Sequence, residues 1–265
     1  SRIHLRDLTI ELVRYLLINR AVIVYGGNLA KEGYTGAFAD LAYQYRARAD
    51  ARKIHFENYF PYPIYCQLDE DTELEFQKKR TGIVKVPPPA FLGADPDQYL
   101  PPDTEKARVV WAVSLTEMRQ RMIAHTHARI LVGGKASDYK GRMPGTIEEA
   151  KIALEQGKPL YLIGALGGGA REVIDALEGR GFRYPTNAFH QSAGYQAFRQ
   201  EYQQQTGTGI DPAVDAAYFA GYGVDQLAAR NGLTADENRR LFATTHLSEM
   251  LYYLFKGLKN ALART

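Results

Sequence analysis

Two short apolar segments of the chain each run directly into a pair of glycines, and this repeated feature constrains the fold most. The segment AVIVY at 21–25 precedes the glycines at 26–27, and ARILV at 128–132 precedes those at 133–134. Apolar, β-branched segments of this length are typical of buried strands, and a glycine pair allows the chain to turn sharply at the strand end. Because a helical pattern follows each turn, both segments predict a strand–turn–helix unit.

The order of these patterns along the chain predicts an α/β fold. A further apolar segment, LYLIGA at 160–165, follows a predicted helix at 146–157. Strands and helices that alternate at this spacing indicate a Rossmann-like parallel sheet with helices on both faces. The last third of the chain is mostly helical in pattern and rich in Tyr, Gln and Ala. We therefore expect a Rossmann-like domain at 1–185 and a helical C-terminal extension at 186–265 that packs on it.

Local signals place the ends of several helices. Thr35, Thr146 and Thr234 each stand where they can cap a predicted helix, and Glu237 completes a capping box with Thr234. Prolines are dense at 87–103, which excludes a helix interior there. Apolar spacing predicts further helices, which are 8–19, 104–125 and 247–262.

Composition excludes several classes of function. The net charge is +3, from 33 basic and 30 acidic side chains, which is too balanced for a nucleic-acid-binding surface. Cys66 is the only cysteine, so neither a disulfide nor a cysteine-rich zinc site is possible within the chain. No apolar run reaches the roughly 18 residues of a transmembrane helix, and no signal peptide is visible. We expect a cytoplasmic protein that binds neither membranes nor nucleic acid.

Motifs of several enzyme classes are also missing from the sequence. There is no HExxH segment for zinc, no G-x-S-x-G turn for a serine nucleophile, and no P-loop for nucleoside triphosphates. His125 and His127 are two residues apart at a predicted helix end, so they point in different directions and do not form a metal pair. The sequence therefore predicts no metal site and no resident cofactor.

The two glycine turns are candidate phosphate sites. Glycine lets the backbone approach a ligand closely, and the helix that follows presents unpaired amides with a partial positive charge. The second turn also carries Lys135, Lys140 and Arg142 before Pro144, and arginine binds phosphate in a bidentate manner. Each turn alone is more often a purely structural strand-to-helix connection.

Glu148 and Glu149 follow at the start of the predicted helix, and two interpretations of them remain open. Carboxylates near a helix N-terminus stabilise the helix dipole. A carboxylate beside a phosphate-binding turn can instead accept hydrogen bonds from a ribose diol.

At this point the sequence resembles the SLOG superfamily. The segment TEMRQRMIAHTHARILVGG, followed by MPGTIEEA, resembles the helix and Pro-Gly-Gly-x-Gly-Thr-x-x-Glu turn of LOG-type phosphoribohydrolases and lysine-decarboxylase-like proteins. The segments YGGNLAKEGYTGAF and GRMPGTIEEAKIALEQGKPLYLIGALGGGA look more like the LSDAT/TRPM-like branch, which occurs in TRPM channels and bacterial conflict systems. The resemblance covers residues from about 8 to 180.

The resemblance implies a sensor domain. In the second branch the domain is thought to recognise a nucleotide-derived signal of the ADP-ribose or cyclic-nucleotide type and to control a TIR-like effector, fused or in trans, in antiphage defence. It also implies a homo-oligomer. The ligand-binding residues expected on this basis are Gly26, Gly27, Asn28, Thr35, Arg119, Arg121, Gly133, Gly134, Lys135, Arg142, Gly145, Thr146, Glu148 and Glu149.

The first branch implies an alternative, a nucleoside 5′-monophosphate phosphoribohydrolase. Its catalytic residues would be an arginine, either Arg119 or Arg121, and a glutamate, either Glu148 or Glu149. The hydrolase turn is compact, whereas KASDYKGRM here separates the two halves of the motif. A displacement of about 1 Å can lower a rate on the order of a hundredfold, so this insertion favours the sensor. A third hypothesis is an assembly module that uses the aromatic C-terminal helix as its interface.

Overall fold

The computed structural model describes residues 2–27, 29, 33–46 and 53–263. Their strands are β1 (Ile23–Gly26), β2 (Phe56–Pro61), β3 (Thr81–Val86), β4 (Arg129–Val132) and β5 (Leu160–Ile163). Their α-helices are α1 (Arg2–Ile18), α2 (Tyr34–Tyr45), α3 (Glu70–Lys78), α4 (Glu105–Ala124), α5 (Gly145–Glu155), α6 (Gly168–Leu177), α7 (Ala188–Gln191), α8 (Ala193–Thr206), α9 (Pro212–Asn231), α10 (Ala235–Ala243) and α11 (Leu247–Leu262).

The predicted Rossmann-like α/β class is confirmed, with parallel strands flanked by helices and a helical C-terminal region. The chain divides into two compact units. Unit 1 comprises Pro102–Ala112 and the chain from Ile123 onward, and unit 2 comprises Arg2–Pro101 and Val113–Met122. Helix α4 therefore contributes residues to both units. The predicted division at residue 185 stays a prediction.

Unit 2 contains a three-stranded parallel sheet in the order β1-β2-β3. Ile23 pairs with Phe56 in one ladder, and Phe56 pairs with Thr81 in the next. Helices α1 and α2 pack on each other, and their side chains meet those of β2 in one apolar cluster. Phe38 of α2 lies edge-on to Phe56, with ring centroids 5.9 Å apart. Unit 2 therefore has an apolar core of its own, formed by side chains of α1, α2 and β2.

Unit 1 contains the parallel pair β4-β5, in which Arg129 lies opposite Leu160. All four residues of β5 are buried, as expected for a parallel strand covered by helices. Helices α5, α6, α9 and α10 contact this strand. The fully buried Tyr161 donates its hydroxyl hydrogen to the Asn231 carbonyl at 2.8 Å, which fixes the end of α9 beside the sheet.

Some of the helix boundaries agree with the sequence, whereas α1 begins at Arg2 rather than at residue 8. The expected helix at 247–262 and the capping box of Thr234 and Glu237 are both confirmed. The proline-dense stretch at 87–103 holds only a short 3-10 turn, Ala90–Leu92, as expected. Helix α9 is interrupted at Gly223, whose φ of +68° is not helical. None of the helices in the described ranges is both long and apolar enough to cross a bilayer.

We expect Thr234→Ala to lower the free energy of unfolding by about 1 kcal/mol, because the Thr234 hydroxyl accepts from the Glu237 amide while the Glu237 side chain accepts from the Thr234 amide. Urea denaturation measures the change. Thr234→Ser keeps the hydroxyl and serves as the control, so an equal loss in both variants would contradict this role of the cap.

Candidate functional site

The second glycine turn belongs to unit 1 and brings three backbone segments together. Gly133 and Gly134 follow β4 with φ values of +63° and +101°, a left-handed backbone that favours glycine. A methyl group added at Gly134 would lie 2.0 Å from Thr146 Oγ1, and one at Gly169 would lie 3.0 Å from Thr146 Cβ. The side chain of Thr146 is therefore packed against the backbone of both glycines, and Gly134 has no room for a side chain.

The start of α5 differs from the prediction in one respect. Thr146 was expected to cap this helix, but the cap position is Pro144 and carries no side-chain hydrogen bond. Thr146 is the second residue of α5, so its hydroxyl does not accept a capping hydrogen bond from a helix amide. The Pro144 carbonyl accepts from the amides of Ile147 and Glu148 at 3.0 Å each. Within the described part of the chain, the amides of Gly145 and Thr146 have no backbone acceptor, which is usual for a first helical turn.

The glycine run at 167–169 closes against this turn. The Gly169 amide donates to the Gly134 carbonyl at 3.1 Å, and the Ala170 amide donates to the Gly133 carbonyl at 2.7 Å. A methyl group at Gly168 would lie 2.4 Å from the Gly134 carbonyl oxygen. Two amides at the start of α6, those of Gly169 and Ala170, are thus bonded within the protein, whereas those of Gly145 and Thr146 at the start of α5 have no backbone acceptor in the described residues. The start of α5 is therefore the candidate anion site of this pair.

The basic residues of the turn have separate environments. Arg142 donates to Glu148 at 2.8 Å, and Glu148 is fully buried. Burial lowers the pKa of Arg142 and the neighbouring Glu148 carboxylate raises it, with a net rise. Lys135 is exposed. Lys140 lies over the Trp111 ring, with Nζ 4.0 Å from the ring centroid. Both lysines are exposed, but only Lys140 has such a ring contact among the described residues, so Lys135 is the basic side chain that we assign to a ligand at the turn.

The adjacent glutamates of α5 are both ion-paired. Glu148 accepts from Arg142, and Glu149 accepts from Arg129, whose Nε lies 2.9 Å from Oε2. Glu148 lies in the first turn of α5, as expected, whereas Glu149 lies beyond it. Glu149 therefore has a structural role as the partner of Arg129. The sequence did not predict this ion pair, because the two residues are 20 positions apart. The predicted ribose contact of either carboxylate stays a prediction.

The first glycine turn, in unit 2, repeats this construction. A methyl group added at Gly27 would lie 2.2 Å from Thr35 Oγ1 and 2.4 Å from Asn58 Oδ1. Thr35 is the second residue of α2, whose cap position is Gly33, so the expected cap at Thr35 is also wrong. Its hydroxyl donates to Asn58 at 3.1 Å. Asn58 is buried on β2. The sequence did not predict its role, because Asn58 and Thr35 are 23 residues apart along the chain. Asn28 lies outside the described residues.

The two candidate arginines of α4 differ in exposure. Arg119 is buried, whereas Arg121 is half exposed and pairs with Glu117 at 2.6 Å. A methyl group at Gly26 would lie 2.9 Å from Met118 Cε, so the buried face of α4 in unit 2 packs against the first glycine turn. Which of Arg119 and Arg121 contacts a ligand stays a prediction.

A cavity of about 230 Å³ lies in unit 1 beside the inserted segment of the second turn. It is called the aromatic cavity below, and its principal lining residues are Trp111, Tyr139, Lys140, Phe189, Tyr195 and Phe198. Its aromatic residues come from three distant segments of the chain, so no local sequence pattern predicts that they line one cavity. The described residues contain no cluster of three or more His, Cys, Asp or Glu side chains suited to a metal ion.

We expect Gly134→Ala to destabilise the protein more than Gly179→Ala. Both glycines have a positive φ, so each alanine costs about 1–2 kcal/mol through its backbone. The added methyl group meets Thr146 only at Gly134, since nothing lies within 4 Å at Gly179, and this overlap costs about 1–3 kcal/mol more. Urea denaturation compares the two variants, and equal losses would show that the close packing of Thr146 is unimportant.

Comparison with known proteins identifies the family. Neither a curated protein nor a solved structure matches the chain significantly. Residues 1–241 match the family described as SLOG cluster2. This confirms the resemblance found from the glycine turns. Because the match spans both turns and most of the helical region, the chain belongs to the SLOG cluster2 family.

Proposed function

We propose that the chain is a regulatory domain that binds a phosphate-bearing, nucleotide-derived ligand at the turn formed by Gly134, Gly145 and Thr146. The observation that carries the proposal is the contrast between two neighbouring helix starts. The amides of Gly169 and Ala170, the second and third residues of α6, are bonded to the carbonyls of Gly134 and Gly133, whereas Gly145 and Thr146, the first two residues of α5, keep amides without a backbone acceptor in the described residues. Both residues are only half buried, so an anion can reach them.

The charges around this turn support the same ligand class. A helix N-terminus attracts an anion through its amides and its dipole, and the exposed Lys135 follows Gly134 directly. The Thr146 hydroxyl can donate to a phosphate oxygen. Arg142 reaches a phosphate only in competition with Glu148, to which it is bonded. We therefore assign the main phosphate contacts to the backbone, Thr146 and Lys135, with Arg142 as a further contact.

The proposal extends to the first turn in unit 2. Gly27 and Thr35 repeat the close packing of Gly134 and Thr146, so this turn is a second candidate for ligand contact, together with Gly26 and the buried Arg119. Substitution of Thr35 tests the first turn, and substitution of Thr146 tests the second.

Ligand binding at the turn would also have to control an effector. We propose that binding changes the association of homo-oligomers and thereby switches a TIR-like effector, fused or in trans, in antiphage defence. The support is the resemblance of the glycine turns to the defence-associated branch of the superfamily. A ligand can switch such an assembly only if it binds the two states with different affinity. Size-exclusion chromatography with and without ligand tests this part, and an unchanged oligomer would contradict it.

The binding proposal predicts a thermal shift with small phosphate-bearing ligands. We expect ribose 5-phosphate, nucleoside monophosphates, ADP-ribose, NAD or cyclic nucleotides to raise the melting temperature, because a ligand that binds only the folded state stabilises it. Thr146→Val removes the donor and should weaken binding on the order of tenfold. Thr146→Ser keeps the hydroxyl and is the matched control. No shift with any of these compounds would refute the proposal.

Hydrolysis of nucleoside monophosphates is the alternative, and the burial of Glu148 argues against it. The side chains of Glu148 and Glu149 are 0% and 13% exposed, and each is held by an arginine. A carboxylate so placed does not reach a glycosidic bond without breaking its ion pair. We expect no release of free base when the protein is incubated with the four common nucleoside 5′-monophosphates, as measured by liquid chromatography. Turnover that is lost in Glu148→Gln would establish the enzyme instead.

A further inference from the structure

We propose that the aromatic cavity of unit 1 is a recognition site for a nucleobase, a planar heteroaromatic ring that carries hydrogen-bond acceptors. The inference rests on the proposed function in one respect, since it takes this ring to belong to the ligand whose phosphate binds at the α5 turn. The segment that lengthens the turn between Gly134 and Pro144 supplies one wall of the cavity through Tyr139 and Lys140. The insertion thereby gains a function as a specificity element.

The size of the cavity matches one ring system. Its volume is about 230 Å³, below the roughly 300–1,000 Å³ of pockets that enclose drug-sized ligands. Most of the principal walls are aromatic, with Trp111 from α4, Phe189 from α7 and Phe198 from α8. Aromatic side chains bind a flat ring by stacking, which is favourable for every base. A single base is of this size, whereas a whole dinucleotide would extend beyond the cavity.

Two cations and one carboxylate, Asp138, contribute charges to the lining of the site. Lys140 Nζ lies over the Trp111 ring, and the Arg108 guanidinium carbon lies 5.3 Å from the centroid of the Phe198 ring. Arg108 also donates to a Glu105 carboxylate oxygen at 2.8 Å and to the Gly194 carbonyl at 3.1 Å, which fixes it at the rim. Lys140 has no such anchor among the described residues. Its ammonium can therefore turn to a carbonyl oxygen or ring nitrogen of a bound base.

The wall that carries Tyr139 is held in place before any ligand binds. The Tyr139 hydroxyl lies 2.8 Å from His190 Nε2 and 3.0 Å from the Tyr195 hydroxyl. His190 Nδ1 in turn lies 2.7 Å from Asn187 Oδ1, and the Asn187 amide group donates to the Ala136 carbonyl at 3.2 Å. The inserted segment is thus fastened at two points to the α7–α8 region. A wall fixed in this way reduces the entropy lost on binding.

The chain itself limits the distance between the cavity and the phosphate turn. Gly141 lines the cavity, and Gly145 begins α5 four residues later. Four residues span at most roughly 14 Å between their Cα atoms when fully extended. A nucleoside monophosphate that places its base in the cavity is therefore not separated from the turn by a long stretch of protein.

The single tryptophan makes the inference testable. Trp111 is the only tryptophan of the chain and lines the cavity. A base in the cavity should change the fluorescence of Trp111, whereas ribose 5-phosphate, which has no aromatic ring to stack, should not. We expect at least one of AMP, GMP, CMP, UMP, ADP-ribose and NAD to quench Trp111 saturably, at concentrations that also raise the melting temperature.

Two variants separate the cavity from the phosphate turn. Lys140→Met and Phe189→Ala should each weaken the quenching ligand on the order of five- to tenfold, while the thermal shift given by ribose 5-phosphate stays as in the parent protein. Lys140 is exposed and Phe189 is half buried, so the fold should tolerate both changes. Lys259→Met removes an equally exposed lysine from α11 and is the matched control, which should leave both signals unchanged.

The outcomes distinguish this inference from the proposed function. If nucleotides raise the melting temperature without altering Trp111 fluorescence, the base binds elsewhere and the cavity inference is wrong, although the phosphate turn stands. If free nucleosides quench as strongly as nucleotides and Thr146→Val has no effect, the cavity binds the base and the phosphate turn is wrong. If no compound gives either signal, both are refuted.

Discussion

The contact between Thr146 and the backbone of Gly134 determines the arrangement of unit 1. It brings the end of β4 against the start of α5, at a distance that excludes any side chain on the glycine. The carbonyls of Gly133 and Gly134 then accept from the amides of Ala170 and Gly169, the third and second residues of α6. Two helix starts therefore meet one strand end. Because the amides of Gly145 and Thr146 have no backbone acceptor in the described residues, the same packing that stabilises the fold also leaves amides at the start of α5 available to an anion.

The same construction in unit 2 shows that the glycine turns do more than reverse the chain. Gly27 packs against Thr35 as Gly134 packs against Thr146, and in both cases the threonine is the second residue of the helix. The two turns differ in what surrounds the hydroxyl. Thr35 is buried and donates to Asn58, whereas Thr146 is half buried at the start of α5. This difference in access makes the second turn the stronger candidate for ligand binding.

The inserted segment of the second turn links the two proposals. A compact turn would place Gly134 and Gly145 within a few residues of each other, with no material for a further wall. Here the additional residues carry Tyr139 and Lys140 to the aromatic cavity and Arg142 to Glu148. Glu148 is fully buried and ion-paired, and the two proposals assign the turn to a phosphate and the additional wall to a base.

The sequence by itself determined the α/β class, the strand ends at both glycine pairs and several helices, because apolar periodicity and capping residues act over a few neighbouring positions. The helix at 247–262 and the capping box at Thr234 follow from such local signals. Only the tertiary structure decided that Thr35 and Thr146 are packing residues rather than caps. It also decided that Glu149 pairs with Arg129 and that Trp111, Tyr139 and Phe189 line one cavity. Such contacts join residues far apart along the chain, and their partners depend on three-dimensional packing that no local pattern encodes.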